Sequence, residues 1–376
     1  MKRALAFLCS ALIVFFTAFC VDAQSLEKTQ ISVSAQAYVL YCPDNNQVVL
    51  SKNLDSSMGM ASTTKIMTSL LALEYAQKND KIVEFTSDMT AEGSSMYLKA
   101  GDKLRLSQLV AGMMTVSGND AANAAAMAVS GDKGKFVRLM NARAKEMGMT
   151  NTSFANPSGL TEEGHYSTVY DMARLMSEAM NNKAFSEITK QKSITVDFIS
   201  PEHQSVTYNN HNRLLQRYDY CIGGKTGYTK ASGRCLVTCS EKDNLRLVAV
   251  TFNAPDDWQD HINLYEYGFD NLKAVVTGNP DDVYKIDVAG SCSQTAVAKV
   301  KEVKKFVADS DTISRVKIRV YVAPLLFAPV RKGDVVGRVL CVADGKTVLQ
   351  SDIIVTEDSD YVKASFLVRF FRSLFR

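Results

Sequence analysis

Cys221-Ile222-Gly223-Gly224-Lys225-Thr226-Gly227-Tyr228-Thr229 is followed, across Ala231-Ser232-Gly233, by Arg234-Cys235-Leu236-Val237-Thr238-Cys239-Ser240. Two runs of strand-forming residues joined by a short glycine-containing connection predict an antiparallel pair. Arg246 to Asn253 continues as a further strand, and Trp258 toward Gly268 as a helix. Near the other end, Gln36 to Leu40 and Gln47 to Leu50 flank the turn-forming Pro43-Asp44-Asn45-Asn46 and predict a β-hairpin. Between these sheet-forming ends the period is helical. Helices are predicted from Ser62 to Ala76, Leu106 to Thr115, Asp120 to Val129, Lys133 to Met147 and Thr168 to Met180. The first of these carries Ile66, Met67, Leu70, Leu71 and Leu73 on most of its sides and should be buried. The fold class that follows is an α/β sandwich with an all-α subdomain.

Val276-Thr277-Gly278-Asn279-Pro280-Asp281 reads as a linker. Beyond it Val316, Ile318, Val320 and Val322 alternate with Arg315, Lys317, Arg319 and Tyr321. Asp344-Gly345, between Arg338 to Val342 and Lys346 to Leu349, is a strong hairpin signal. A small all-β domain over residues 276–362 is expected to follow a catalytic domain over residues 24–275.

The two ends of the chain have their own signatures. Lys2 and Arg3 precede an apolar run from Ala4 to Cys20, and Val21-Asp22-Ala23 offers a cleavage site, so residues 1–23 read as a secretory signal. Residues 363–376 form an amphipathic helix when plotted at about 100° per residue. Phe366, Leu367, Val368, Phe370, Phe371, Leu374 and Phe375 make a wide apolar face opposed by Arg369, Arg372 and Arg376. That pattern suits a helix lying in a membrane interface. An exported protein held at the outer face of the cytoplasmic membrane is the expectation.

The net charge of +3 provides no general drive toward nucleic acid. Six cysteines would remain after cleavage (Cys42, Cys221, Cys235, Cys239, Cys292 and Cys341), an even number that permits disulfides in an exported protein. Cys235 and Cys239 lie on one strand, too far apart to bond with each other. His165, His203, His211 and His261 show neither metal-ligand spacing nor an obvious cysteine partner, so neither a zinc site nor any other cofactor is expected.

Three short motifs carry the chemistry: Ser62-Thr63-Thr64-Lys65, Ser117-Gly118-Asn119 and Lys225-Thr226-Gly227. S-x-x-K also occurs at Ser25-Lys28, Ser130-Lys133 and Ser314-Lys317, and S-x-N at Ser51-Asn53, so context selects the set. On a helix Ser62 and Lys65 share a face. A serine hydroxyl needs a base, and with no histidine in the motif the Lys65 amine is the candidate. A lysine that is to act as a base near neutral pH must have its ammonium destabilised by about 4 kcal/mol. Burial, the like charge of Lys225 and the positive end of the helix all act in that direction. Ser117, on a loop between helices, can relay the proton, and Asn119 can donate its amide to the substrate backbone. Lys225 and Thr226 suit a substrate carboxylate, and Gly227 leaves room beside the strand.

The order of these motifs resembles that of the penicillin-recognising serine enzymes. Phe154-Ala155-Asn156-Pro157-Ser158-Gly159-Leu160, His165-Tyr166-Ser167-Thr168 with Tyr170-Asp171-Met172-Ala173, and Asn212-Arg213-Leu214-Leu215 narrow it. Over roughly residues 30–272 the chain is similar to low-molecular-weight D-alanyl-D-alanine carboxypeptidases. That resemblance implies release of the terminal D-alanine of peptidoglycan stem peptides through an acyl-enzyme on Ser62, and acylation of Ser62 by β-lactam antibiotics. It also implies an oxyanion hole from the backbone amides of Ser62 and Tyr228, and a packing role for His165 and Asp171 in place of a Ser-His-Asp triad. Related carboxypeptidases often place an arginine after the third motif to meet the terminal carboxylate. Residues 253–260 hold acids and Trp258 instead, so carboxylate binding is expected to rest on Lys225 and Thr226. The rival readings are a β-lactamase, for which Glu162 or Glu163 would have to drive deacylation, and a catalytically idle penicillin sensor or wall-binding scaffold.

Overall fold

The computed structural model describes residues 31–291 and 293–361. Its centre is a five-stranded antiparallel sheet. The strands are β1 (Ala37–Cys42), β2 (Gln47–Lys52), β3 (Cys221–Thr229), β4 (Gly233–Lys242) and β5 (Leu245–Phe252), in the spatial order β2-β1-β5-β4-β3. The two distant hairpins of the sequence therefore meet through β1 and β5, with Val39 opposite Val250. Successive side chains of a strand point to opposite faces, and here both faces are covered. Val39, Val237 and Val250 belong to the core shared with the helical insertion. Leu40 and Leu247 point the other way, so close to the last helix that a Cβ on its Gly268 would stand 2.5 Å from Leu247.

The helices follow the predicted periodicity. The longer ones are α1 (Lys65–Ala76), α2 (Leu106–Val116), α3 (Asn119–Ser130), α4 (Lys133–Glu146), α5 (Val169–Asn181) and α6 (Asp257–Asn271), with shorter helices at Lys183–Thr189 and Leu214–Arg217. The helix expected from Ser62 opens as a tight 3-10 turn, Ala61–Thr64, before the regular α-helix begins at Lys65. Helix α1 is buried along most of its length, Lys65 included. Side chains fix several helix starts: Asp132 accepts from the amide of Lys135, and Thr168 from that of Asp171.

One expectation for the C-terminal region needs correction. Val276 is no linker residue: Leu272–Val276 is a strand paired antiparallel with Lys305–Asp309, Val276 opposite Lys305, so it straddles the expected domain boundary. The alternation from Val316 to Val322 does form a strand, Lys317–Val322, at the edge of a six-stranded sheet, where Ile318 and Val320 are 54% and 48% exposed. The core of this region gathers around Ile286, Val288, Val339, Ile353 and Val355. The Asp344-Gly345 hairpin is as expected, both residues having the positive φ (50° and 77°) that a type I′ turn requires. A short helix, Ser310–Ser314, interrupts the strands.

The residues predicted to form the amino-terminal signal and the carboxy-terminal helix, 1–23 and 363–376, lie outside the described residues. No helix among the described residues is long and apolar enough to cross a membrane. The five cysteines among the described residues, Cys42, Cys221, Cys235, Cys239 and Cys341, are free and buried, and Cys292 lies outside the described residues.

One loop ties the helical insertion to the nucleophile turn. Gly159 has φ +87°, and a Cβ there would stand 2.0 Å from the Ala61 carbonyl oxygen. Gly159→Ala is therefore expected to cost about 2–4 kcal/mol in urea unfolding, with slower acylation of Ser62; an unchanged unfolding midpoint would contradict this packing.

Candidate active site

Ser62 sits in the 3-10 turn, preceded by Ala61 in the left-handed region (φ 48°), a conformation that costs a non-glycine residue of order 1 kcal/mol. Lys65, one turn later, is completely buried. Its Nζ lies 3.0 Å from Ser62 Oγ, 2.6 Å from Asn119 Oδ1 and 2.6 Å from the Ser158 carbonyl oxygen. The last two partners can only accept. A neutral amine meets this geometry fully: its two N–H groups go to Asn119 and Ser158, and its lone pair faces the one partner with a proton to give, the Ser62 hydroxyl. Burial, and then the charge of Lys225, hold the Lys65 pKa well below the usual lysine range, while Asp120 opposes them. The spacing of Ser62 and Lys65 thus becomes an oriented nucleophile and base.

Asn119 has a second task beside the expected one. Its Oδ1 holds Lys65 and one hydrogen of Nδ2 goes to the Glu92 carbonyl oxygen at 2.7 Å. The amide is thereby fixed in direction, and its second N–H is left for a substrate. Asn119 does not cap α3, since the N-cap is Gly118 with no side-chain bond. Ser117 terminates α2 in the left-handed conformation (φ 63°) and faces the same cleft as Ser62.

Lys225 lies on β3, the free edge of the sheet, and is only 1% exposed. Its Nζ donates to the Thr226 carbonyl oxygen at 2.8 Å, and burial pushes its pKa down to about 7. It therefore lies beneath the cleft surface, whereas Thr226, Gly227 and Tyr228 line it. A Cβ on Gly227 would stand 3.0 Å from the Ser62 amide nitrogen. Only a glycine lets β3 approach the turn that carries Ser62 this closely. The cleft has a volume of about 770 Å3.

Functional groups that motif reading missed are mostly backbone. The Ser158 carbonyl reaches Lys65 because Asn156 Oδ1 accepts from the amides of Ser158 and Gly159 at 3.2 and 2.7 Å, folding the Asn-Pro-Ser-Gly turn. The neighbouring Pro157 carbonyl accepts from Thr68 Oγ1 at 2.6 Å. Asp120 accepts from the amides of Met96, Leu98 and Ala121 and from Ser95 Oγ, which fixes the loop over α3. Only the clustering of turn-forming residues at 156–159 signalled any of this in advance.

His165 is a strut. Its Nδ1 accepts from the Ala155 amide, so Nε2 carries the proton and donates to Thr64 Oγ1 at 2.8 Å. Burial pushes its pKa down to about 4, which keeps it neutral. Asp171 is bound elsewhere, by the Asn151 amide and Thr152 Oγ1. Glu162 and Glu163 are exposed and do not line the cleft that holds Ser62.

A sandwich whose edge strand carries Lys-Thr-Gly beside a buried Ser-x-x-Lys pair defines a serine acyl-transfer enzyme of the penicillin-recognising class. The profile of the D-alanyl-D-alanine carboxypeptidase family matches residues 23–256. The chain is 31% identical to the D-alanyl-D-alanine carboxypeptidase DacF of Bacillus subtilis, over 90% of this chain and 89% of that protein. It is 33% identical to DacC of Escherichia coli, over 87% of this chain and 84% of that protein. Among solved structures, penicillin binding protein 5 from Haemophilus influenzae superposes with a TM-score of 0.64 at 26% identity, covering 88% of this chain and 99% of that one. The chain belongs to the D-alanyl-D-alanine carboxypeptidase family.

The charges around Lys65 set the acid limit of acylation. Lys225→Ala removes a like charge, so the Lys65 pKa rises and the acid limb of the acylation rate moves to higher pH. Asp120→Asn removes an opposing charge and moves that limb to lower pH. Stopped-flow labelling with a fluorescent penicillin across pH measures both; shifts in one common direction would contradict the electrostatic assignment.

Proposed function

We propose that this enzyme is a serine-type carboxypeptidase that removes the terminal D-alanine from peptidoglycan stem peptides ending in D-Ala-D-Ala. Ser62 Oγ attacks the penultimate D-alanine carbonyl while Lys65 takes its proton. The amides of Ser62 and Tyr228 receive the oxyanion, a donor pair in which each member is typically worth about 2.7–4 kcal/mol. Collapse expels D-alanine, whose amine is protonated through Ser117, and water, deprotonated by Lys65, releases the acyl group. The substrate lies extended along the free edge of β3, as peptides do at open sheet edges. A β-lactam antibiotic offers the same carbonyl next to a carboxylate and acylates Ser62.

The observation that carries this reading is the fully buried Lys65 amine, 3.0 Å from Ser62 Oγ, whose pKa burial holds well below the usual lysine range and so favours the form that can take the hydroxyl proton. A β-lactamase would need a carboxylate to activate the deacylating water, and the two glutamates weighed for that task lie outside the cleft. The penicillin adduct is therefore long-lived in this reading. An idle scaffold would have no need to hold an amine dry beside a serine hydroxyl.

Ser62→Ala is expected to abolish both D-alanine release from diacetyl-Lys-D-Ala-D-Ala and covalent penicillin labelling, and Lys65→Ala to slow acylation at every pH by at least 100-fold, the scale of a lost general base. Labelling that persists in Ser62→Ala would move the nucleophile elsewhere.

The reading extends to location. The charged and apolar pattern of residues 1–23 supports export, and the phenylalanine-rich face of residues 364–376 supports attachment to the outer surface of the cytoplasmic membrane. Seven apolar side chains supply on the order of 10 kcal/mol if buried, before ordering costs. Deleting residues 364–376 is expected to release a soluble mature enzyme with unchanged activity on the small peptide; continued sedimentation with membranes would place the anchor elsewhere.

A further inference from the structure

Residues 253–260 contain no arginine, yet the cleft contains a guanidinium that comes from the neighbouring strand. We propose that Arg234, held by Asp257 and Trp258, is the specificity-determining cation that receives the terminal carboxylate of the leaving residue, an inference that rests on the carboxypeptidase reading above. Arg234 is the second residue of β4 and pairs in register with Tyr228, the residue after the Lys-Thr-Gly motif. Its side chain lines the same cleft as Ser62, Ser117 and Thr226.

Three features make it a built cation and not a surface arginine. Its backbone is pinned, because the Ala254 amide donates to the Arg234 carbonyl at 3.0 Å. Its guanidinium is fixed in direction by a 2.6 Å bond from Nη2 to Asp257 Oδ1 and by the ring of Trp258, 5.7 Å from Cζ to centroid. The pair is also asymmetric: the Arg234 side chain is 43% exposed and that of Asp257 only 3%. Both residues line the cleft, but the Asp257 carboxylate is almost wholly covered, so the cation presents far more surface to it.

A guanidinium has five N–H donors in a planar fork, and with one given to Asp257 an edge remains that matches a carboxylate in a two-point contact. Lys225 is a poorer sole anchor. It is buried, bonded to the Thr226 carbonyl and pushed down to about 7, so near neutral pH its charge is incomplete. A guanidinium also offers the planar fork of donors that an ammonium lacks. Arg213 also lines the cleft, but without an ion pair or aromatic ring among the described residues to fix it.

The test compares diacetyl-Lys-D-Ala-D-Ala as the free acid with the same peptide as its C-terminal amide, reading kcat/KM for release of D-alanine and of D-alaninamide. The wild-type enzyme should prefer the acid. Arg234→Ala should lower kcat/KM for the acid by about 10- to 100-fold, the scale of a charged hydrogen bond, and leave the amide nearly unchanged. Arg234→Lys should recover part of the preference, since it keeps the charge without the fork. Arg213→Ala should leave the acid-to-amide ratio as it is. Equal losses on both peptides in Arg234→Ala, in a variant whose melting temperature matches the wild type, would reduce Arg234 to a wall of the cleft and overturn the proposal. Collapse of the ratio in Arg213→Ala instead would overturn it too. If the wild type releases neither product while its Ser62 is still labelled by penicillin, it is the carboxypeptidase reading itself that fails.

Discussion

The site depends on one amine kept dry. Lys65 has no exposed surface, and an isolated ammonium in such a place is far more costly than the neutral amine. The protein meets this by surrounding Nζ with three polar atoms from three separate segments: the nucleophile turn, the start of α3 and the 156–159 loop. Each segment is itself held by a further constraint. Asn156 shapes its loop through its own side-chain oxygen, Glu92 anchors Asn119, and the strained Ala61 sets the turn that presents Ser62. Loosening any of these would let the amine find another acceptor or water, and the hydroxyl would lose its base.

The central sheet supplies the other half of the site. Its edge strand β3 runs close beside the turn that carries Ser62, and the absence of a side chain at Gly227 permits that distance. The sheet is stiffened from its opposite face by α6. There His261 bridges Thr238 and Thr251, and Tyr265 bonds Thr238 and the Ala249 amide. Burial pushes His261 down to about 3, so it remains a neutral hydrogen-bonding spacer. The same helix begins with Asp257 and Trp258, so the element that braces the sheet also orients Arg234 in the cleft. Rigidity and recognition therefore share one helix start.

The carboxy-terminal strands are built to a different standard. Their core is small, and Ile318, Val320 and Val335 are left about half exposed. They are joined to the catalytic region by the strand pair Leu272–Val276 with Lys305–Asp309, by a Lys305–Asp44 ion pair and by Ser310 Oγ donating to the Asp270 carbonyl. A partly exposed pair of this kind contributes little stability, roughly 0–1 kcal/mol. The continuous backbone ladder is the firmer link.

The sequence by itself determined the class of fold and the family to which the chain belongs. Helical and two-residue periods reflect which side of an element is buried, and that pattern is local, so the strands flanking Ala231–Gly233 and helix α1 were legible without coordinates. The spacing of Ser62 and Lys65 was legible for the same reason, because one helical turn brings them together whatever surrounds them. The tertiary structure decided everything that depends on which distant segments meet. It gave Asn119 the further task of holding Lys65, drew Lys225 beneath the cleft surface, and brought the Ser158 carbonyl to the Lys65 amine. It also placed Arg234, one strand over from the Lys-Thr-Gly motif, in the cleft against Asp257 and Trp258. Backbone carbonyls carry no sequence signal, and a side chain's reach across a sheet depends on pairing register. Both are properties of the assembled chain, since they arise from contacts between residues far apart in the sequence.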